Sequence, residues 1–529
     1  MSRHISSTKR RTSKSKAKTR RRGKQSLQKP RGVIGPRVKK VGGERFAIVC
    51  VDPAKNRSEW MMADYFGNLL IQPQTVEHHR GFPAAVELIQ QAREQHGIED
   101  LIVVVERTGN YYLTPKRAFA RAGLETRVLH PFVTKQYRAA ANPGNKTDET
   151  DLHAQHRAAV AGFGLCEYEL EPPYRALQLR ARHRRNLVEK SSALACQIRE
   201  HLHMALPGFG SLFDHLLGHQ SAMAMARRCD SAATVLEIGH DGLARHLREN
   251  KVRFQARTID KVLAWASQAV RNVVQDAPLH HALWTDLEAL YQQFRQRISA
   301  LERDLAGDLA ATFYVRLMAI PGINVVSAAE LAGEMGPIAH YANANAITGR
   351  SGIYPSRSQS DQTDNNRGPI IRHSNRRLRA ALMRIADNLV CHCNYYRARA
   401  DVDRANRIHE TAIRIKVTKK FTRLVFACVA GDEPLRHPCF QKPDSILEKL
   451  RAFHHEHQTP VDRILSDLKI TVEQLPGNTR SHEAEAVAAV LEKRTKCRRG
   501  AAAIGELLPA VLARLKIKPT QENENMGRP

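Results

Sequence analysis

Apolar and polar positions follow different rhythms in different parts of this chain. Over residues 44–165, short apolar runs alternate with amphipathic stretches. Phe46-Ala47-Ile48-Val49-Cys50-Val51 closes on Asp52, and Leu101-Ile102-Val103-Val104-Val105 closes on Glu106. Runs this short and this rich in β-branched residues predict strands. Ser58 to Ala63, the stretch that begins Leu69-Leu70-Ile71, and Thr126-Arg127-Val128-Leu129 read the same way. The turn signal Tyr65-Phe66-Gly67-Asn68 makes the first three an antiparallel meander. Phe82 to His96, Tyr111 to Ala122 and Asp148 to Ala161 carry helical spacing. Gly97 and Gly123 close the first two, and Thr147 is placed to cap the third. The predicted order is β-β-β-α-β-α-β-α.

Further along, the period is helical throughout. In 174–206 the seam is Leu187, Leu194, Ile198, Leu202 and Leu206, with Arg180, Arg182, Arg184 and Arg185 off it. Residues 207–275 read only as helices. In 279–309, Leu283, Leu287, Leu290, Phe294, Ile298, Leu301, Leu305 and Leu309 recur at heptad-like spacing. Two such helices can pair within one chain, between subunits, or both. Leu317 to Val325 contains Pro321-Gly322 and leads into an Ala-rich helix ending at Gly336. A Pro-Gly turn before a helix suits a DNA phosphate, as in helix-hairpin-helix elements, or is an ordinary connection. Residues 349–379 concentrate Ser and Arg, which fits either a phosphodiester site or a solvated loop. Two more helices follow over 380–430, including Ile413 to Val429. Beyond about 435 the chain is polar and helical in patches, with a break at Lys442-Pro443 and a disordered end from Lys516 to Pro529. No internal repeat is evident.

Composition narrows the partners. The chain of 529 residues has 83 Lys+Arg against 53 Asp+Glu, a net charge of 83 − 53 = +30. That excess favours a polyanion, nucleic acid first. Residues 1–40 hold sixteen Lys and Arg and no acid, which reads as a disordered basic arm gripping phosphate without sequence preference, or as a solvated tail. The nine Cys lack the paired spacing of a zinc site and read as free thiols. No apolar run is long enough to span a membrane, and no signal peptide precedes the first strand. The expectation is a soluble intracellular protein.

Four acids carry the candidate chemistry. Asp52 and Glu106 end strands, while Asp148 and Asp151 stand three apart on one helix face in Lys146-Thr147-Asp148-Glu149-Thr150-Asp151. Carboxylates converging this way repel unless a cation neutralises them, and their hard oxygens suit Mg²⁺ or Mn²⁺. Solubility alone can place an acid after a strand, which is the competing explanation for any one of the four.

The element order with acids on the first strand, fourth strand and last helix resembles the ribonuclease-H-like (RuvC-like) fold of metal-dependent nucleases and integrases. The wider pattern resembles the insertion-sequence 110 family of DEDD transposases, described as bridge-RNA-guided serine-type recombinases. The N-terminal likeness rests on Val51-Asp52, Glu106-Arg107-Thr108-Gly109-Asn110-Tyr111 and Lys146 to Ala154. The C-terminal likeness rests on Ile320-Pro321-Gly322-Ile323, Gly352-Ile353-Tyr354-Pro355 with Gln359-Ser360, and Asn375-Arg376-Arg377-Leu378-Arg379. It spans roughly residues 44–435. The implied architecture is a multidomain α/β plus all-α chain. It would have a RuvC-like DEDD domain (44–165), a helical coiled-coil connector (170–312) and a mainly helical transposase domain with a serine site (313–435); the disordered basic arm (1–43) and a partly disordered C-terminal extension (436–529) lie outside the likeness.

The resemblance implies an enzyme of a bacterial insertion sequence that cuts and rejoins donor and target DNA in the cytoplasm, associated with the nucleoid when acting. Its acids would bind Mg²⁺, a structured non-coding (bridge) RNA would guide it, and it would act as a dimer or as a tetramer on DNA. Ser360 matches the family's nucleophilic serine, giving a composite Mg-carboxylate plus serine site and a phosphoserine intermediate. The family commonly has Gly after that serine, whereas Asp361 follows here, so Ser356 and Ser358 remain rivals. Arg350, Arg372, Arg376, Arg377, Arg379 and Lys146 are candidate nucleic-acid contacts. One alternative is a two-metal DEDD nuclease or transposase acting by hydrolysis without the serine. Another is a non-catalytic basic nucleic-acid-binding protein.

Overall fold

Period-two alternation is realised first as a six-stranded sheet. The computed structural model describes residues 32–476 apart from 142, 168, 270–275, 361–362, 366–367, 372–373, 432–434 and 442–443. The basic arm through residue 31, Asp361, Arg372, Lys442-Pro443 and the tail from 477, with Lys516 to Pro529, lie outside the described residues. The chain divides into two compact units, Met1–Glu169 and Leu170–Pro529.

The strands of the first unit are β1 (Phe46–Pro53), β2 (Arg57–Asp64), β3 (Leu69–Glu77), β4 (Asp100–Glu106), β5 (Thr126–Leu129) and β6 (Leu165–Cys166). They lie in the order β3-β2-β1-β4-β5-β6. β1, β2 and β3 form the expected antiparallel meander, and β1, β4 and β5 run parallel. The helices are α1 (Gly35–Val41), α2 (Phe82–Gln95), α3 (Leu113–Arg121), α4 (Pro131–Ala141) and α5 (Asp148–Val160). Alternate residues of one strand pack on opposite faces. Ala47, Val49 and Val51 join Val103 and Val105 beneath α2 and α3. Phe46, Ile48 and Cys50 join Ile102 and Val104 beneath α1, α4 and α5.

Two differences from the sequence reading stand out. The arm expected to run to residue 43 ends earlier, because Ile34 and Val41 are buried in the sheet's core and anchor α1. Arg37 supports it by pairing with Glu125 at 2.6 Å and with Asp100. Helix α4 was not expected at all.

In the second unit, α6 (Pro172–Ala205) and α10 (Ala277–Ala310) lie side by side, with α7 (Gln220–Arg228), α8 (Ala232–Glu249) and α9 (Ala256–Ala269) between them in sequence. Arg180 faces Asp308 and His201 faces His280, so the pair is antiparallel within one chain. The remaining elements are α11 (Val325–Met335), α12 (Ala344–Ser351), β7 (Ser358–Ser360), β8 (Thr363–Asn365), α13 (Arg376–His392), α14 (Asn394–Ala405), α15 (Glu410–Ala430), α16 (Asp444–Glu456) and α17 (Val461–Gln474).

The expected boundaries at 312 and 435 do not separate cores. Tyr174 and Leu177 of α6, Leu305 and Leu309 of α10, and Leu447 and Leu468 beyond 435 share one apolar cluster. The far ends of α6 and α10 close a second cluster with α7, α8 and α9, through Ile198, Leu202 and Trp284. There the seam shifts. Trp284 and Glu288 are buried while Leu283 and Leu290 are exposed, because α7 supplies Arg227 to Glu288 at 2.6 and 2.7 Å. No described helix is long and apolar enough to cross a membrane.

Gly333 is where α11 meets α6. A Cβ there would stand 2.7 Å from the Gln178 backbone nitrogen. Gly333→Val is therefore expected to cost about 1–3 kcal/mol by overpacking, read as a lower Tm of the whole chain.

Candidate active site

The sheet's parity decides where the acids go. Asp52 continues the Phe46-Ile48-Cys50 face of β1, and Glu106 continues the Ile102-Val104 face of β4. Parallel pairing aligns Val51 with Val105, so the two carboxylates are neighbours at adjacent strand ends. The helix over that face is α5. Its N-terminus is fixed by a capping box in which Thr147 Oγ1 accepts from the Thr150 N–H at 3.1 Å and Thr150 Oγ1 accepts from the Thr147 N–H at 2.9 Å. Leu152, Ala158 and Ala159 bury its inner face, and His156 Nε2 lies 2.7 Å from the Asp64 carbonyl oxygen. Asp148 and Asp151 thus sit in the first turn of an anchored helix, where the dipole favours negative charge.

The four acids reach one another electrostatically. Burial first, then Glu106, Asp151 and Asp148, push the Asp52 carboxyl from its usual 3.8 up to about 7, and Lys146 opposes them. Glu106 is also raised, chiefly by burial, with Asp151 adding to it and Thr134, Thr108 and Arg138 pulling it back. Asp151 is buried and carries an ion pair from Arg138 Nη1 of α4. Among the described residues, no group of three or more His, Cys, Asp or Glu side chains stands together as a ready metal-binding set. The donor chemistry is nonetheless all oxygen, and its mutual repulsion is what a hard divalent cation relieves.

Thr134 and Arg138 were missed by sequence reasoning. Their spacing of four on one helix face was the available signal, and Val133 and Tyr137 repeat that spacing toward the core.

The second concentration of polar residues is a hairpin rather than a loop. Strands β7 and β8 pair antiparallel, with Ser360 opposite Thr363 at the tip and Ser358 opposite Asn365 nearer the base. Ser356 lies lower still, its N–H donating to the Pro369 carbonyl at 2.8 Å. The expected arginines divide. Arg350 donates to Tyr341 Oη at 2.8 Å and to the Met335 carbonyl at 3.3 Å, so its guanidinium is engaged inside the unit. Arg379 is likewise used internally, donating to the Ser351 carbonyl at 2.9 Å and to Ile371 and Ser374. Arg376 and Arg377 are exposed at the first turn of α13, lining a cleft of about 290 Å³ with Arg182, Arg185, Glu330 and Glu334. Lys146 is exposed beside Asp52. At the Pro321-Gly322 turn, Gly322 has φ +86° and α11 is capped by Asn324, while Lys449 Nζ donates to the Met318 and Ile320 carbonyls at 2.6 and 3.1 Å.

Acids at the strand ends of an α/β sheet, followed by a helical unit rich in arginine, are an arrangement that suits a DNA-cutting and rejoining enzyme. The comparisons with known families agree. Residues 49–207 match a DEDD transposase family model of the insertion-sequence 110 type, and residues 314–403 match the model described as transposase IS116/IS110/IS902 family. The chain belongs to the insertion-sequence 110 family of transposases. A search of curated proteins finds no match.

The raised Asp52 value sets a pH dependence. As pH rises from about 4 to 7, the unfolded chain ionises this carboxyl before the folded chain does, so metal-free stability falls over that window and levels off above it. Asp52→Asn is expected to remove the loss. In chelator at pH 8 its Tm should exceed the parent's by about 2–4 °C for each kcal/mol relieved in a unit of this size, and the difference should close near pH 4.

Proposed function

We propose that Asp52, Glu106, Asp148 and Asp151 form a divalent-cation centre that breaks DNA phosphodiester bonds during transposition. The observation that carries this reading is the shared sheet face. Strand parity and the capped start of α5 bring four carboxylates into one field, with Asp52 pushed up to about 7 largely by burial and by the other three. Asp52 and Glu106 would hold the cation from the strand ends, with Asp148 and Asp151 facing them from α5. Mg²⁺ or Mn²⁺ bound there would act as a Lewis acid on phosphate oxygens and lower the pKa of an attacking hydroxyl. The chain's own contribution is to fix the carboxylates on a rigid sheet and to neutralise DNA phosphate through its excess of basic residues. The strand order β3-β2-β1-β4-β5 supports the ribonuclease-H-like reading of the first unit.

The fuller form of the proposal adds Ser360. Its Oγ attacks a DNA phosphorus, forming an O–P bond as the strand's P–O bond breaks. The hydroxyl proton passes to a carboxylate base, and the leaving oxygen is protonated as the free DNA end. Bond energy is kept in the phosphoserine for rejoining. The tip position of Ser360 supports it over Ser356 and Ser358. The proposal also includes guidance by a structured RNA from the element's flank and action as a dimer or DNA-bound tetramer. The hydrolytic two-metal reading has its own support, since all four acids belong to the first unit and Ser360 to the second.

Alanine at Asp52, Glu106, Asp148 or Asp151 is expected to lower strand cleavage by roughly 10²–10³ or more, the scale of losing a group that stabilises transition-state charge. A fall no larger than the accompanying loss of folded protein rejects the centre. Denatured reactions of the parent should contain DNA-linked protein, absent in Ser360→Ala. If no adduct forms and Ser360→Ala still exchanges strands, the hydrolytic reading holds. RNA extracted from the purified protein and sequenced should map beside the protein's own gene, and a non-specific RNA population would reject guidance.

A further inference from the structure

Helix α4 brings a cation to the acidic centre. It packs under the sheet through Val133 and Tyr137. One of its faces carries Thr134, which is 1% exposed, and Arg138 one turn later. The charge of Arg138 reaches Glu106. Arg138 Nη1 donates directly to Asp151 Oδ1, and both side chains are largely covered. A carboxylate as buried as Asp151 is costly to leave unpaired. The ion pair therefore answers the same need that a divalent cation would answer, on the same carboxylate.

We propose that Arg138 is the built-in counter-ion of the acidic centre: it holds Asp151 when no divalent cation is bound there and yields the carboxylate when one binds. This rests on the metal-centre reading above. Arg138 is then a positioning residue that acts through Asp151. It keeps the four acids together in the metal-free protein, and it sets how much free cation is needed to displace it. Lys146 does not duplicate the role, because it is exposed and its charge acts on Asp52. Arginine suits the position, since its charge is permanent and its fork fits a carboxylate. The competition is a coupling between two occupants of one carboxylate, and such coupling is reciprocal.

The test is Mn²⁺ binding to the full chain, followed by calorimetry and by Tm with and without the ion. Arg138→Gln is expected to bind Mn²⁺ roughly tenfold more tightly than the parent, at the low end of ordinary site–site coupling. Its Tm in chelator should be lower than the parent's, and saturating Mn²⁺ should recover most of the loss. Arg138→Lys should fall between the two, and serves as the readout if the glutamine variant does not fold. In an Asp151→Asn background, Arg138→Gln should leave Mn²⁺ affinity nearly unchanged, because the two substitutions remove one shared interaction. Unchanged or weaker Mn²⁺ binding by Arg138→Gln overturns the proposal, as does a Tm loss that Mn²⁺ does not recover, which marks a purely structural arginine. A parent chain whose Mn²⁺ binding is indifferent to Asp52→Asn rejects the metal centre itself and the counter-ion role with it.

Discussion

Repulsion among four carboxylates is the constraint on which the first unit turns. Opposite charges at hydrogen-bond distance are worth several times more in a partly buried site than in water, and like charges cost correspondingly more. Gathering Asp52, Glu106, Asp148 and Asp151 therefore calls for an offset to their charge, and a proton held on Asp52 is one such offset. Arg138 and Lys146 answer part of that need from within the chain, and the remainder suits a divalent ion. The gathering rests on the buried β1 and β4 strands and the apolar inner face of α5, together with the hydrogen-bonded Thr147–Thr150 cap that fixes where α5 begins.

The second unit uses charge differently. Many of its arginines are paired with carboxylates as part of a frame. Arg182 grips Glu334 at 2.7 and 3.0 Å, Arg184 pairs with Glu302, and Arg384 reaches Glu330. These pairs tie α6 to α10 and α11, and α11 to α13. A net charge of +30 thus does not translate residue by residue into a nucleic-acid footprint. Arg350 and Arg379 shape the frame around the serine hairpin, whereas Arg376 and Arg377 stay exposed at the start of α13. The same frame carries α16 and α17, so residues 444–475 complete the core.

Strand existence and the helix cap were legible in sequence because each depends on neighbours in the chain. A run such as Leu101 to Val105 announces a strand, Thr147 with Thr150 announces a helix start, and a spacing of three places Asp148 beside Asp151. Helix α4 went unread although its apolar positions have helical spacing, with Val133 and Tyr137 packing under the sheet. The β7–β8 hairpin was illegible because a polar Ser-rich segment has no apolar alternation to read. The seam of α10 was right near Leu305 and Leu309 and wrong near Leu283, where the packing partner changes from α6 to α7, α8 and α9.

The sequence by itself determined the α/β-then-helical order and the placement of four acids at strand ends and a helix start, since propensity, period and spacing are local properties. Only the tertiary structure decided that Asp52 and Glu106 share a sheet face with α5, because that depends on parallel register between strands some fifty residues apart. It alone placed Arg138 on Asp151 and turned Arg350 and Arg379 inward. Ion pairs between distant segments follow from which faces the buried core brings together, and no local pattern encodes that.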